Sequence, residues 1–277
     1  MVGYVHCNMK SETFIIDSNR AVAPGVFELV LCRNELRIER SVSRIGRNES
    51  RIGRNESRIE RPGQFVEISV PGHFLRRPIS VCDWTQDSLT LLVRTVGSGT
   101  AWLEDAVPGT RLDILLPLGN GFNVNAIPDG AEVVLAGGGI GIAPLYALAK
   151  AILAKGLQCR VALGFRNGND VFYADRFAAL GCETAIATED GSLGVKGFVT
   201  EIVSRDSTCS TYMFACGPMP MLRALAATPG LAGAQFSLEA RMGCGFGACM
   251  GCTIETASGP ARVCREGPVF ALEDLKW

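Results

Sequence analysis

Four cysteines close to the C-terminus, Cys244, Cys249, Cys252 and Cys264, constrain this chain more than any other feature. The segment that holds them, from residue 233 onward, is short and rich in glycine. It has too few apolar side chains for a core of its own and needs a staple. The C-x4-C-x2-C…C spacing is that of plant-ferredoxin-type [2Fe–2S] loops, while four thiolates also satisfy one zinc ion. Zinc sites favour paired C-x2-C knuckles, and the lone Cys264 breaks that pairing. Gly243, Gly245, Gly247 and Gly251 interleave the ligands. Backbone wrapped around a cluster needs positive φ and close N–H approach, and glycine permits both. The other cysteines (Cys7, Cys32, Cys82, Cys159, Cys182, Cys209 and Cys216) are scattered, and a total of 11 is odd. A disulfide framework is therefore not expected; one metal site plus ordinary thiols in a reducing compartment is.

Ahead of the tail the hydrophobic pattern changes once. Up to about residue 120, short apolar runs alternate with turn residues: Val26–Leu31, Gln64–Val70, Leu89–Arg94 and Arg111–Leu116, with Pro-Gly at 62–63, 71–72 and 108–109. This predicts a small antiparallel barrel. One stretch is foreign to it. Arg-Ile-Gly-Arg-Asn-Glu-Ser occurs at 44–50 and again at 51–57, within an arginine-rich segment spanning 37–61. Each heptad lacks an a/d seam, so a coiled coil is disfavoured; a basic binding arm is conceivable, and a solvated, mobile insertion is the favoured reading. From residue 130, strand-like runs at Ala131–Ala136, Arg160–Phe165, Thr184–Thr188 and Thr211–Cys216 alternate with helical segments such as Ile142–Lys155. That alternation predicts a parallel sheet with helical crossovers.

Two sets of motifs lie on this framework. Arg77-Pro78-Ile79-Ser80 is read at a strand end, where a guanidinium offers a fork to a pyrophosphate and the serine hydroxyl a hydrogen bond to a flavin ring. Leu92-Val93-Arg94 leads to Gly97-Ser98-Gly99-Thr100 and a helix-like Ala101-Trp102-Leu103; glycines opening a helix make an anion site from backbone N–H groups. Leu118-Gly119-Asn120-Gly121-Phe122 is a further glycine turn. The second set is Gly137-Gly138-Gly139-Ile140-Gly141, joining a strand to a helix, and Cys216-Gly217-Pro218, which ends a later strand. Both turns are expected on the ligand-binding edge of the sheet, with close backbone packing as the other reading of the glycines. Arg166-Asn167-Gly168-Asn169-Asp170 carries both charge signs and does not choose between NAD and NADP. Met219, Met221 and Leu222 read as helix packing, Asp190 as a turn cap or a ligand contact, and His6 and His73 as surface or packing residues.

The order of these pieces resembles the ferredoxin-NADP reductase superfamily, and within it the electron-transfer subunits of B-type, NAD-dependent dihydroorotate dehydrogenases. Leu75–Ser80, Glu239–Gly245, Arg262-Val263-Cys264 with Gly267–Phe270, and Asp190-Gly191-Ser192-x-Gly194-x-Lys196-Gly197 carry the resemblance, which covers nearly the whole chain. The heptad insertion departs from the family pattern. The resemblance implies an α+β multidomain chain: an antiparallel β-barrel FAD domain (1–125), an α/β parallel-sheet NAD domain (126–232) and a small [2Fe–2S] C-terminal domain (233–277). It implies FAD on Arg77, Pro78, Ile79, Ser80, Leu92, Val93, Arg94, Gly99 and Thr100. It places NAD on Gly137, Gly138, Gly139, Gly141, Cys216, Gly217 and Pro218, and the cluster on the four tail cysteines. It further implies a separate catalytic subunit, an FMN-bearing TIM barrel that oxidises dihydroorotate in pyrimidine (UMP) biosynthesis, in a heterotetramer of two plus two. Related FAD/[2Fe–2S] subunits of a hydrogenase, a sulfide reductase or a ferredoxin-NADP transhydrogenase would share the fold; a zinc-stapled scaffold without redox function is the reading from another class.

Global properties limit the alternatives. A formal net charge of −1 points to neither nucleic acid nor an anionic membrane. No apolar run approaches the roughly 18 residues of a spanning helix. The N-terminal MVGYVHCNMKSETF lacks the basic-then-apolar pattern of a secretory signal, so a cytoplasmic location is the default expectation.

Overall fold

The computed structural model describes residues 9–33, 58–206 and 210–277. The heptad stretch up to residue 57 lies outside the described residues, as do His6, Cys7 and Cys209. At the described end of that stretch Arg58, Glu60 and Arg61 are exposed, but the chain is anchored. Ile59 is buried in the barrel core, and the N–H groups of Glu60 and Arg61 donate to Gln64 Oε1 at 2.8 and 3.1 Å.

Six antiparallel strands close into a barrel in the order β1-β2-β5-β4-β3-β6. They are β1 (Lys10–Ala23), β2 (Val26–Cys32), β3 (Phe65–Ile68), β4 (Arg77–Trp84), β5 (Ser88–Arg94) and β6 (Arg111–Leu118), with helix α1 (Ser98–Asp105) between β5 and β6. Alternate residues fill the interior: Phe27, Leu29 and Leu31 from β2, Leu89, Leu91 and Val93 from β5, Leu112, Ile114 and Leu116 from β6. This period of two is the source of the strand signal in the sequence. Arg77 opens β4 rather than closing a strand as expected. The Pro71–Gly72 turn and the loop after it deliver the chain into β4, and Pro78, with no N–H to give, falls where β4 has a single neighbour.

The second body is a seven-stranded sheet in the order β10-β9-β8-β7-β11-β12-β15. In chain order it comprises β7 (Glu132–Gly138), α2 (Ala143–Ala154), β8 (Cys159–Phe165), α3 (Ala174–Ala179), β9 (Glu183–Thr188) and β10 (Val195–Lys196). It continues with α4 (Val199–Asp206), β11 (Thr211–Cys216), α5 (Met219–Ala226) and β12 (Leu231–Ser237). Six of its strands run parallel, the edge strand from the tail being antiparallel, and the order reverses between β7 and β11. That switch point opens a crevice beyond the C-terminal strand ends, where ligands of such sheets bind.

The cysteine tail folds as a small β13 (Thr253–Thr256) and β14 (Gly259–Arg262) ribbon, and β15 (Val269–Ala271) adds antiparallel to β12. β12 runs across the 232/233 division, so sheet and tail are stitched together by main-chain hydrogen bonds. The barrel grips the tail as well. Asn120 Nδ2 donates to the carbonyls of Glu266 (2.8 Å) and Val269 (2.7 Å), its Oδ1 accepts from Val269 N (3.1 Å), and its own N–H donates to Gly267 O (2.8 Å). The Gly119–Gly121 turn, read with the flavin motifs, is therefore a clasp on the tail; a side chain at Gly119 would collide with Pro268. Asn120→Ala leaves these backbone groups without partners. The expected loss is about 1–3 kcal/mol of stability, with earlier proteolysis of the tail. Thermal unfolding checks this, and a variant as stable as its parent would show that the clasp contributes nothing.

Candidate functional site

The ladder between β4 and β5 stops at Val81↔Leu91. Beyond it, Arg77–Ser80 pair with β3 alone and Leu92–Arg94 with β2 alone. A gap thus opens between two backbone edges of an otherwise closed barrel. Strand edges with free N–H and C=O groups accept a flat, polar-edged ring in the way they accept another strand. The side chains of Leu92 and Val93 are buried, in the interdomain core and the barrel core respectively, so these residues offer a ligand main chain only. The Arg76 guanidinium is engaged by Asp113 at 2.6 Å, whereas that of Arg77 is held by its own chain, at Leu75 O (2.6 Å) and Arg76 O (3.4 Å). Arg77 lies across the first turn of α1, where a Cβ at Gly99 would come within 2.7 Å of Nη2. Thr100 braces that turn, its Oγ1 accepting from Val96 N (2.9 Å) and Gly97 N (3.2 Å). His73 joins it as well, through Nε2 and Ser98 Oγ at 2.8 Å, a placement its isolated position in the sequence gave no sign of. A guanidinium and a helix N-terminus on one spot fit a pyrophosphate.

Next to this gap, at the switch point, is an open cleft of about 490 Å³. Its walls come from both bodies: Pro24, Val26 and Arg94 from the barrel, and Gly138, Gly139, Phe165, Arg166 and Pro218 from the sheet. The glycines divide by duty. Gly138 and Gly139 line the cleft, while Gly137 packs on Ile142 and Leu145. Gly141 touches the Cys216–Gly217 peptide, where a Cβ would lie 2.6 Å from Gly217 N, so close backbone packing explains both. Cys216 is buried behind the wall; burial, then the neighbouring Glu239, push its thiol up to about 12, with Ser237 opposing. Met221, expected as helix packing, reaches the cleft, whereas Leu222 is core and Met219 is exposed. Asp190 caps its own turn, accepting from Ser192 N (2.9 Å) and Oγ (2.6 Å). Glu239 opens the Glu239–Gly245 stretch, and the sequence assigns it no role of its own. The protein crowded around its carboxyl raises it, while Arg94 lowers it.

On the far side of β3 lies the cysteine loop. Phe65 and Leu118 pack against Cys252, Val263 and Cys264 in one core cluster. Glu67 presses on Gly245 and is 1% exposed; its Oε1 has no hydrogen-bond partner. Burial raises this carboxyl against the pull of Arg76. Among the described residues no three His, Cys, Asp or Glu side chains converge on one point. The thiols instead form two pairs. Cys252 and Cys264 are 3.2 Å apart. Cys244 neighbours Cys249 and accepts from the N–H groups of Ala248 (3.2 Å) and Cys249 (3.4 Å). Burial pushes the Cys244 thiol up, but the N–H groups of Cys249, Phe246 and Ala248 outweigh it and bring it to about 7. Burial and the adjacent Cys252 push Cys264 up to about 12. Four thiols gathered on one loop would supply the four thiolates that a [2Fe–2S] cluster needs. Gly245 and Gly247 take φ of 74° and 90°, as the loop requires. Arg262 holds it closed, donating to Gly247 O at 2.7 Å and pairing with Glu266. Cleft, gap and cysteine loop thus follow one another, with β3 and β4 between the last two.

The fold is ferredoxin-NADP reductase-like, a class of oxidoreductase that joins a pyridine-nucleotide site to a second redox centre. The NADH-dependent reduced ferredoxin-NADP oxidoreductase, studied for flavin-based electron bifurcation, superposes with a TM-score of 0.77 at 26% identity, covering 100% of this chain and 92% of that one. Phthalate dioxygenase reductase shares the fold at a TM-score of 0.60 and 20% identity, over 79% of this chain and 64% of that one. Residues 239–276 match the iron–sulfur cluster binding domain of dihydroorotate dehydrogenase B, and residues 135–227 match the oxidoreductase NAD-binding domain. The chain belongs to the family of dihydroorotate dehydrogenase B (NAD(+)) electron transfer subunits. It is 45% identical to that subunit of Bacillus caldolyticus over 76% of this chain and 84% of the relative. To that of Bacillus cereus (strain Q1) it is 37% identical over 96% and 99%.

Proposed function

We propose that this chain relays electrons between a dihydroorotate-oxidising catalytic partner and NAD+ through a [2Fe–2S] cluster and FAD. The observation that carries the proposal is the parted β4–β5 ladder, with the nucleotide cleft on one side and the paired thiols across β3 on the other. When bound, the flavin exchanges a hydride with nicotinamide and single electrons with the cluster. Arg77 and the first turn of α1, with Gly99 and Thr100, hold the pyrophosphate. The main chains of Arg77–Ser80 and Leu92–Arg94 grip the ring edge. Gly138, Gly139 and Pro218 let the dinucleotide approach the sheet edge, with Gly137, Gly141, Cys216 and Gly217 shaping the turn beneath. Cys244, Cys249, Cys252 and Cys264 carry the cluster.

Cys249, Phe246 and Met250 are exposed on the outer side of the loop and form the face offered to the partner. The assembly is a heterotetramer of two such chains and two catalytic subunits. A cytoplasmic setting agrees with the free thiols among the described residues, where also no helix is long and apolar enough to cross a membrane. The test is an anaerobic visible spectrum before and after NADH, with iron and acid-labile sulfide assayed on the same sample. Flavin bands and a broad iron–sulfur absorption that both bleach are expected; zinc without sulfide, or a colourless protein, sinks the proposal.

A further inference from the structure

Glu28 is a carboxylate in an unusual place. It lies on the outer face of the barrel, on β2, yet is 5% exposed because the nucleotide-binding body covers it. Tyr173 OH donates to its Oε2. Arg176 reaches both oxygens, Nη1 to Oε2 at 3.0 Å and Nη2 to Oε1 at 3.3 Å, and Arg20 donates to Oε1 at 2.8 Å. Arg176 Nη1 also donates to Tyr173 OH (3.2 Å), and its guanidinium lies 4.6 Å from the centre of the Tyr173 ring. Burial would raise the Glu28 carboxyl, but the tyrosine and the two arginines outweigh it and hold it below the usual carboxylate range. The group is therefore ionised at neutral pH, and the contact is a charge-assisted bridge between two bodies.

The position of the bridge matters more than its strength. On β2, Val26 and Glu28 share a face, two residues apart, and Val26 is a wall of the cleft. On the other body, Phe172 is a wall of the cleft and Tyr173 is the next residue. Tyr173 has φ of 66°, a left-handed conformation that is costly for a bulky side chain. That conformation turns Phe172 into the cleft, edge-on to Phe165 at 5.5 Å, while Tyr173 points to Glu28. Each wall residue is thus adjoined by a bridge residue of its own body. A second tie, Lys150 Nζ to Asp83 Oδ2 at 2.6 Å, joins α2 to β4 nearby, but its side chains are 43% and 26% exposed, so water competes for it.

We propose that Glu28, Tyr173 and Arg176 are positioning residues that set the width of the nucleotide cleft and so the approach of the nicotinamide to the barrel gap. This rests on the assignment of the cleft to NAD. Breaking the bridge frees Tyr173 to leave its strained conformation, which withdraws Phe172 from the wall and lets the two bodies part. Binding then suffers because the cleft must be reassembled around the ligand. Hydride exchange suffers more, since a misplacement of about 1 Å costs about a hundredfold in rate.

The test uses the purified holoprotein and the variants Tyr173→Phe and Glu28→Gln, both nearly isosteric. NAD+ affinity is measured by titration calorimetry, and backbone hydrogen exchange is followed over 168–177. The limiting rate of flavin bleaching at saturating NADH comes from stopped flow. We expect both variants to keep their flavin, iron and sulfide and to bind NAD+ about tenfold more weakly, the effect of losing a hydrogen bond to a charge. Exchange should quicken over 168–177, and the limiting rate should fall further than the affinity does. The limiting rate belongs to the folded, loaded fraction, so a general loss of stability does not mimic it. If Glu28→Gln does not fold, Tyr173→Phe alone decides. Unchanged affinity, exchange and limiting rate in a loaded variant would overturn the positioning role. A parent protein that binds no NAD+ would instead refute the assignment of the cleft, a different and separable result.

Discussion

Cys252→Ser is expected to abolish the iron–sulfur chromophore while leaving the flavin in place. Cys252 is buried against Cys264, 3.2 Å away, in the core that joins the tail to β3 and β6. Serine at neutral pH brings a hydroxyl in place of a thiolate, so one metal of the binuclear centre loses half its protein ligands. Changes one step removed from a metal already cost about 10–100-fold in affinity, and loss of a ligand costs more. Iron and sulfide should therefore fall below about a tenth of the parent content under the same anaerobic preparation. The tail, which depends on its staple, should also become easier to digest with protease. NADH should still bleach the flavin bands, because cleft and gap lie on the other side of β3 and β4, whereas reduction of the catalytic partner should drop to background. Full cluster content in this variant would mean that Cys252 is not a ligand and that the pairing of thiols has been misread.

The reciprocal result is expected at Arg77. Arg77→Ala removes the guanidinium from the first turn of α1, and Gly99→Ala displaces it, since the new Cβ would meet Arg77 Nη2 at 2.7 Å and Cζ at 2.8 Å. Hydrogen bonds to charged groups are each worth about 1.5–3 kcal/mol, so loss of the fork should weaken FAD binding by about one to two orders of magnitude. Among the described residues Arg77 makes no ion pair, so little stability should be lost with its side chain. The two substitutions act on one contact, and their combination should cost little more than either alone. The measurement is flavin fluorescence released on dilution, with iron and sulfide assayed alongside. Cluster without flavin is the expected product; a full complement of flavin in Arg77→Ala would move the pyrophosphate elsewhere.

Much of this architecture was legible in the chain because it is locally encoded. Leu89, Leu91 and Val93 alternate because strands alternate. The helix expected over Ile142–Lys155 appears as α2 over Ala143–Ala154, its alanines and leucines being good helix formers. The cysteine spacing is itself a loop geometry, and Gly245 and Gly247 take the positive φ expected there, whereas Gly243 and Gly251 do not. What was misplaced depended on neighbours far away in sequence. Gly137 and Gly141 carry the same motif as Gly138 and Gly139, yet packing against Ile142 and Cys216 removes the first two from the cleft. The Gly119–Gly121 segment reads in the sequence only as a further glycine turn, because the tail groups that Asn120 grips lie almost 150 residues on. Glu67 and Glu28 are single acids in unremarkable strands; no pattern marks them, and only the surfaces folded over them make them buried or paired.

The sequence by itself determined the change from antiparallel barrel to parallel sheet, several strands on either side of it and the loop spacing of the four tail cysteines. Periodicity, turn chemistry and ligand spacing act over a few residues and survive in any context. Tertiary structure alone decided that the barrel ladder parts between Ser80 and Leu92, that the cleft opens beside that parting and that the thiols lie across β3 from it. Those are relations between strand edges brought together by closure of a barrel and reversal of a sheet, and the packing that holds them is a property of the whole fold rather than of any segment.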